Sequence, residues 1–154
     1  MKRELACLLA VCGLTAALAG CGEDKQETAQ TPQEIAESMM SKRSEEAPPM
    51  SQLNDKQITK LYNLEEDQLT AAVVYICDDN LRCDELAVLQ PAEGQEDAVK
   101  EAVQARFDTK LNSFKDYLPD EYALMEEGEV VQSGNLIVLV AGMDSSDMLD
   151  ALPA

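Results

Sequence analysis

The feature that most restricts the fold is a stripe of apolar side chains on a helical period in the second half of the chain. Val99, Val103, Phe107, Leu111, Phe114, Leu118, Tyr122 and Met125 recur at steps of four, four, four, three, four, four and three. That spacing puts all of them on one side of an α-helix that begins near Gln95. Pro119 falls inside the stripe, lacks an N–H, and crowds the carbonyl of the preceding turn. The spacing therefore predicts a kink or a restart, with Pro119 as the first residue of a second helical piece and Gly128 as its stop. A helix with one apolar face must bury that face against another layer.

The material for that layer is a set of short apolar runs. Ala71 to Cys77 reads Ala-Ala-Val-Val-Tyr-Ile-Cys, and Leu86 to Gln90 follows after the turn Asp78-Asp79-Asn80-Leu81-Arg82. The first run is apolar on both alternations, the pattern of a central strand covered on two faces, and the two together predict a hairpin. Glu129 to Gln132 and Leu136 to Ala141 flank Ser133-Gly134-Asn135, which predicts a second hairpin.

Short helices are expected at both ends. Thr31 caps, Pro32 suits the first helical position and Glu34 completes a capping box, with Ile35, Met39 and Met40 on the buried side. Ser44 to Ser51, with Pro48 and Pro49, breaks this helix. Asn54 or Asp55 then caps a second one carrying Ile58, Leu61 and Tyr62. Asp144 or Ser145 caps a last one carrying Met148, Leu149 and Leu152. The expected class is α+β: a small antiparallel sheet of about four strands in two hairpins, packed by one long, Pro-kinked helix.

The first residues carry a different signal. Lys2 and Arg3 precede an apolar run from Leu5 to Ala19, too short to span a bilayer and suited to the apolar region of an export signal. Leu18-Ala19-Gly20-Cys21 resembles the bacterial lipobox, in which small residues fit the lipoprotein signal peptidase and the thiol takes a diacylglycerol. The alternative is an ordinary secretory signal cut near Ala19 or Gly20, with Cys21 free. The lipobox reading divides the chain into a signal peptide over 1–20, a lipidated Cys21 with a polar tether over 21–31, and a single domain over 32–154. It predicts a lipid-anchored protein at the extracytoplasmic face of the cell membrane, with membrane lipid held through Cys21.

Charge narrows the partners. Twelve Lys and Arg stand against 30 Asp and Glu, a net charge of -18. Such a surface repels phosphate backbones, so no nucleic-acid partner is expected. The chain has no His and no Trp. The missing His removes Ser-His and Cys-His catalysis and most zinc or iron sites. No Ser-x-x-Lys and no glycine-rich phosphate loop is present. We therefore expect no enzyme activity, no cofactor and no metal.

Cys77 and Cys83 are the thiols left once Cys21 is acylated, and they flank a five-residue turn. A regular hairpin would bring them to disulfide distance, and an exported location permits the bond. Two reduced thiols are the alternative. Their spacing is not the Cys-x-x-Cys of thioredoxin-like redox sites. Asp78, Asp79, Asn80, Asp84 and Glu85 cluster around the same turn. They lack the alternation, the Gly and the distal Glu of an EF-hand loop, so they read as turn-forming polar residues, and Asp144-Ser145-Ser146-Asp147 as a helix cap.

Three stretches together resemble a bacterial lipoprotein family, domain of unknown function 4358. They are Glu34-Ile35-Ala36 with Lys60-Leu61-Tyr62; Ala72-Val73-Val74-Tyr75 followed by Asp84-Glu85-Leu86-Ala87-Val88; and Ser113-Phe114 through Tyr117, Pro119 and Glu121-Tyr122. The resemblance spans roughly residues 33 to 150. It implies a small lipoprotein of Gram-positive anaerobes, some of whose relatives are encoded near membrane-bound O-acyltransferase systems, and so an accessory role at the cell surface. It supplies no catalytic or ligand residues. The resulting expectation is a non-enzymatic interaction or accessory module with a cell-envelope protein partner. A small-ligand or cation-binding lipoprotein is the alternative, and a thiol redox protein the third reading.

Overall fold

Capping chemistry starts the first two helices. In the computed structural model, which describes residues 30–153, Thr31 and Glu34 form a reciprocal capping box at the head of helix α1 (Pro32–Met40). Asn54 and Gln57 do the same for α2 (Asp55–Tyr62). Each box satisfies orphan backbone donors of the first turn. Asn63 closes α2 in the left-handed region at φ 53°, where an Asn is tolerated better than most side chains. A single 3-10 turn (Glu66–Gln68) then leads into the sheet.

The strands are β1 (Met50–Gln52), β2 (Leu69–Cys77), β3 (Glu85–Pro91), β4 (Glu129–Ser133) and β5 (Leu136–Ala141). They form one five-stranded antiparallel sheet in the order β1-β2-β3-β5-β4. Both expected hairpins are present, β2 with β3 and β4 with β5. The sheet has one strand more than the four anticipated. Met50–Gln52 pairs with Tyr75–Cys77, overlapping the end of the Ser44–Ser51 break. A run of three residues directly after Pro48 and Pro49 is too short to show alternation.

Between the hairpins lie α3 (Glu96–Phe114) and α4 (Pro119–Glu126). The helix stops after Phe114, and Pro119 opens the second piece as its first residue, as the stripe predicts. Val99, Val103, Phe107, Phe114 and Met125 are buried, while Leu111, Leu118 and Tyr122 pack half-buried against the same core. Full burial of such a side chain contributes roughly 1.5–3 kcal/mol. Gly128 follows α4 for a reason beyond its freedom as a stop. A Cβ there would lie 2.6 Å from the Val140 carbonyl oxygen of β5.

The sheet is covered on both faces. Val74, Ala87, Leu89, Ile137 and Leu139 pack with α2, α3 and α4. Val73, Leu86, Val88, Val138 and Val140 pack with α1 and with α5 (Ser145–Leu149) on the other side. The two-sided burial explains why β3 and β5 are apolar on both alternations. At α5, Asp144 occupies the N-cap position in the left-handed region, at φ 63°, and its carboxylate does not cap. It accepts instead from the Ser44 amide and hydroxyl at 2.8 and 2.9 Å, fastening the end of α1 to α5.

No helix among the described residues is long and apolar enough to cross a membrane. The expected signal peptide, the lipobox-like Leu18-Ala19-Gly20-Cys21, and nearly all of the expected tether lie outside the described residues.

Candidate functional site

Burial of charge is the unusual property of this domain, and it is concentrated where the central strand begins. Cys83, Asp84 and Glu85 precede the apolar run of β3 and are at most 1% exposed. Asp84 stands opposite Cys77 in the ladder, where the Cys77 amide donates to the Asp84 carbonyl. Successive side chains point to opposite faces. Asp84 therefore shares a face with Leu86 and α1, while Cys83 and Glu85 share the other with Ala87 and α3.

Glu85 is the most heavily bonded carboxylate. Its Oε1 accepts from the Tyr62 hydroxyl at 2.7 Å, and its Oε2 accepts from Arg106 and from Lys110 at 2.9 Å each. Arg106 and Lys110 are four apart on α3, so one helix face presents both cations together. Burial works against the charged carboxyl of Glu85, but the Lys110 and Arg106 charges outweigh it and hold its pKa below the usual range. For Arg106, desolvation is likewise outweighed, by Glu85, and its pKa is raised. Burial, then Glu85, push the Tyr62 phenol well above its ordinary value.

Asp84 anchors the opposite face. Its Oδ1 accepts from Arg43 at 2.8 Å and from the Met143 amide at 3.1 Å. Arg43 also donates to the Pro48 carbonyl at 2.7 Å, which ties the end of α1 to the approach to β1. Gly142 lets the end of β5 reach this carboxylate: its φ is +101°, and a Cβ there would sit 2.6 Å from the Asp84 Cα. Glu121 of α4 closes the cluster. It accepts from the Cys83 amide at 2.7 Å and pairs with Arg82 at 3.0 Å. Arg82 Nε approaches Asp84 Oδ2 at 3.8 Å, an ion contact without a hydrogen bond, and both of these atoms lack a hydrogen-bond partner among the described residues.

The chemistry open to this cluster is limited. Arg43, Arg82 and Arg106 are all the arginines from residue 30 onward, and each meets a buried carboxylate. The Cys83 thiol is pushed far up, first by burial and then by Glu121 and Asp84, so it stays protonated and is a poor nucleophile. Sγ of Cys83 and carboxylate oxygens of Asp84 and Glu121 lie within 4.8 Å of one another, a spacing compatible with a divalent cation. The Arg82 guanidinium already supplies the positive charge between those two carboxylates. The arrangement braces six segments against one another: the end of α1, α2, the β2–β3 turn, α3, α4 and the end of β5.

The residues singled out from sequence divide accordingly. Both Cys77 and Cys83 are free. The disulfide considered for them is not formed, because the register sets Cys77 opposite Asp84 and turns Cys83 to the other face. Asp78, Asp79 and Asn80 are exposed and turn-forming, as expected; Asp79 accepts from the Leu81 amide at 2.9 Å. Asp84 and Glu85 depart from that reading, for they are buried ion-pair centres. The four cations that neutralise the cluster were not anticipated. The available signal was two adjacent acids set directly before an apolar run in a chain with few arginines.

No curated protein and no solved structure matches the chain. Residues 42–142 match the family described as Domain of unknown function (DUF4358). The matched span contains every charged residue of the buried cluster and omits α1 and α5, so Glu34-Ile35-Ala36 lies outside it. With about two thirds of its length matched, the chain belongs to the DUF4358 family.

Proposed function

We propose that this protein is a lipid-anchored, non-enzymatic interaction or accessory module at the extracytoplasmic face of the cell membrane, acting on a cell-envelope protein partner. The observation that supports this reading is the closure of the charged cluster on itself. Its carboxylates are met by cations of the same chain and its thiol is held protonated, which makes it a brace for the fold and leaves the surface as the working part. That surface is strongly acidic, in keeping with the net charge of -18. Two large apolar side chains, Leu81 and Tyr117, are 62% and 84% exposed. Leu81 adjoins Arg82 in the β2–β3 turn, and Tyr117 lies in the link that leads into α4, two residues before Pro119, so the Arg82–Glu121 pair ties the turn to the helix beside Tyr117. A rigid aromatic on a fixed base is a common anchor of protein interfaces. Leu18-Ala19-Gly20-Cys21 adds the membrane attachment.

The test has two parts. Cys21→Ser is expected to release the protein from the membrane fraction, and unchanged retention would count against lipid attachment. A photo-crosslinking side chain placed at Tyr117 in the full chain is expected to give one discrete adduct with an envelope protein. An adduct pattern no different from that obtained at Glu101 on the outer face of α3 would sink the interaction reading.

A further inference from the structure

The sheet is open along part of β2. Strand β1 covers only Tyr75–Cys77, and one further bond runs from the Leu53 amide to the Val74 carbonyl at 2.9 Å. The Asn54–Gln57 capping box then starts α2 and takes the chain away from the sheet. No described strand flanks the rest of the outer side of β2, from Leu69 to Val73. Cys77 and its alternate neighbours bond to β3, so the ladder's alternation turns the Ala72 N–H and C=O outward. The open stretch is about 16 Å long at roughly 3.3 Å per residue, enough for a strand of about five residues.

A groove of about 780 Å³ runs beside this edge, between the first turns of α2 and β2 itself, and its lining includes Asp55, Lys56, Ile58, Glu66, Leu69 and Ala72. The small side chains of Ala71 and Ala72 leave room for a second backbone to approach. The register of β2 against β3 also slips between Leu69 and Ala71, leaving Thr70 as the extra residue of a bulge. Bulges at sheet edges discourage indiscriminate pairing with other copies.

We propose that the open edge of β2 is a strand-addition site for an extended, basic segment of a partner protein. Such a segment would continue the line of β1, bond to Ala72, and place cationic side chains by Asp55 and Glu66. Main-chain bonding supplies affinity in this mode, and flanking charge and pockets supply selectivity. Two carboxylates, Asp55 and Glu66, stand against one cation, Lys56, in the groove, so charge favours a basic occupant. A second copy would bring its own Asp55 and Glu66 to the same edge on a chain of net charge -18, which disfavours self-pairing. The proposal rests on the interaction-module reading above and gives it a partner class.

Backbone amide exchange on the full-length protein tests it, with a short synthetic peptide of alternating Lys and Val as the probe. The expected result is slowing of Ala72 amide exchange by at least about tenfold, with no effect from the matching Glu-Val peptide. Ala72→Pro removes the outward N–H at an edge that tolerates Pro, and with it the amide being read, so its effect is read as peptide affinity in a direct titration, which should weaken by at least about tenfold. Should that variant fail to fold, Glu66→Lys serves instead and should weaken peptide binding by about tenfold. The proposal is overturned by the absence of protection at Ala72, by equal protection from the acidic peptide, or by protection confined to the outer edge of β4. It is also overturned by protection already present without peptide. If concentration-dependent, that result would mean a second copy, and if not, the chain's own N-terminal segment. Failure here with a Tyr117 adduct intact removes only the edge site, whereas loss of every adduct removes the module reading itself.

Discussion

Replacing Glu85 by Gln isolates the strongest claim made for the buried cluster. The substitution keeps the shape, deletes the charge, and sets an amide N–H₂ against donors from Tyr62, Arg106 and Lys110. Glu85 is fully buried, and its partners lie at 2.7 to 2.9 Å. Removing one member of a buried ion pair typically costs about 3–5 kcal/mol, chiefly through the charge left unpaired. Here the stranded cations are not sealed in, since the Arg106 and Lys110 side chains are 23% and 12% exposed and long enough to reach water. We therefore expect a loss of about 3 kcal/mol, toward the lower end. A domain of roughly 120 residues has an unfolding entropy near 0.25 kcal/mol/K, so Tm should fall by about 12 °C. Urea unfolding followed by far-UV circular dichroism measures the loss, since the chain has no Trp for fluorescence. Glu101→Gln on the exposed face of α3 is the control and should change stability by less than about 0.5 kcal/mol. The triple variant Glu85→Leu, Arg106→Met, Lys110→Met should recover most of the loss, because apolar replacements leave no charge uncompensated. A Glu85→Gln protein within about 1 kcal/mol of the parent would refute the reasoning.

The remaining predictions concern pH, backbone and thiols. The pKa of Glu85 is depressed on folding, so its contribution is full above the ordinary carboxylate value of about 4.5 and is lost as pH falls below that. Acid denaturation curves of the parent and of Glu85→Gln should therefore converge at low pH; parallel curves would contradict this. Tyr62 has the opposite sign: its raised pKa gives a contribution that is full below the ordinary value of 10.0 and lost as pH climbs beyond it. Tyr62→Phe should flatten that alkaline slope in the same assay, and an unchanged slope would place its origin elsewhere. Gly142→Ala should cost more than about 2 kcal/mol, because the new methyl meets Asp84 at 2.6 Å. Gly94→Ala, with φ +80° and nothing within 4 Å, should cost only about 1 kcal/mol by the same denaturation measurement. Under non-reducing conditions Cys77 should alkylate in the native protein and Cys83 only on unfolding, as read by intact mass; no thiol in the unfolded, unreduced protein would mean the β2–β3 register is wrong.

Much of the architecture was legible because it rests on periodicity and local punctuation. The stripe from Val99 to Met125 names its own buried face, and Pro119 marks the restart because a proline can only begin a helix cleanly. Ser133-Gly134-Asn135 announces its turn in the same local way. Strand β1 was not legible, since Met50–Gln52 is defined by its partner Tyr75–Cys77 and not by any pattern of its own. The charged cluster escaped for a related reason. Asp84 and Glu85 look like the polar end of a turn, and only the sheet order reveals that they open a strand buried on both faces. Their partners Arg43 and Arg106 lie 41 and 21 residues away, and Glu121 meets the Cys83 amide across 38, distances that no spacing rule within a helix or strand can bridge. Asp144 shows the same limit on a smaller scale, being placed where a cap belongs and used instead to hold Ser44.

The order β1-β2-β3-β5-β4 also governs when this domain can become a domain. Each hairpin closes locally, but β3 and β5 are apolar on both faces and each lies at the rim of its own hairpin until the two meet. Their junction pairs Glu85–Leu89 with Ile137–Ala141, across the whole of α3 and α4. Such long-range closure is slow, and unpaired strand rims are where chains aggregate. A chain released amino end first would therefore carry the bare rim of β3 until β5, which ends at Ala141, is out. Anything that keeps neighbouring chains apart during that interval protects the fold before the sheet is closed.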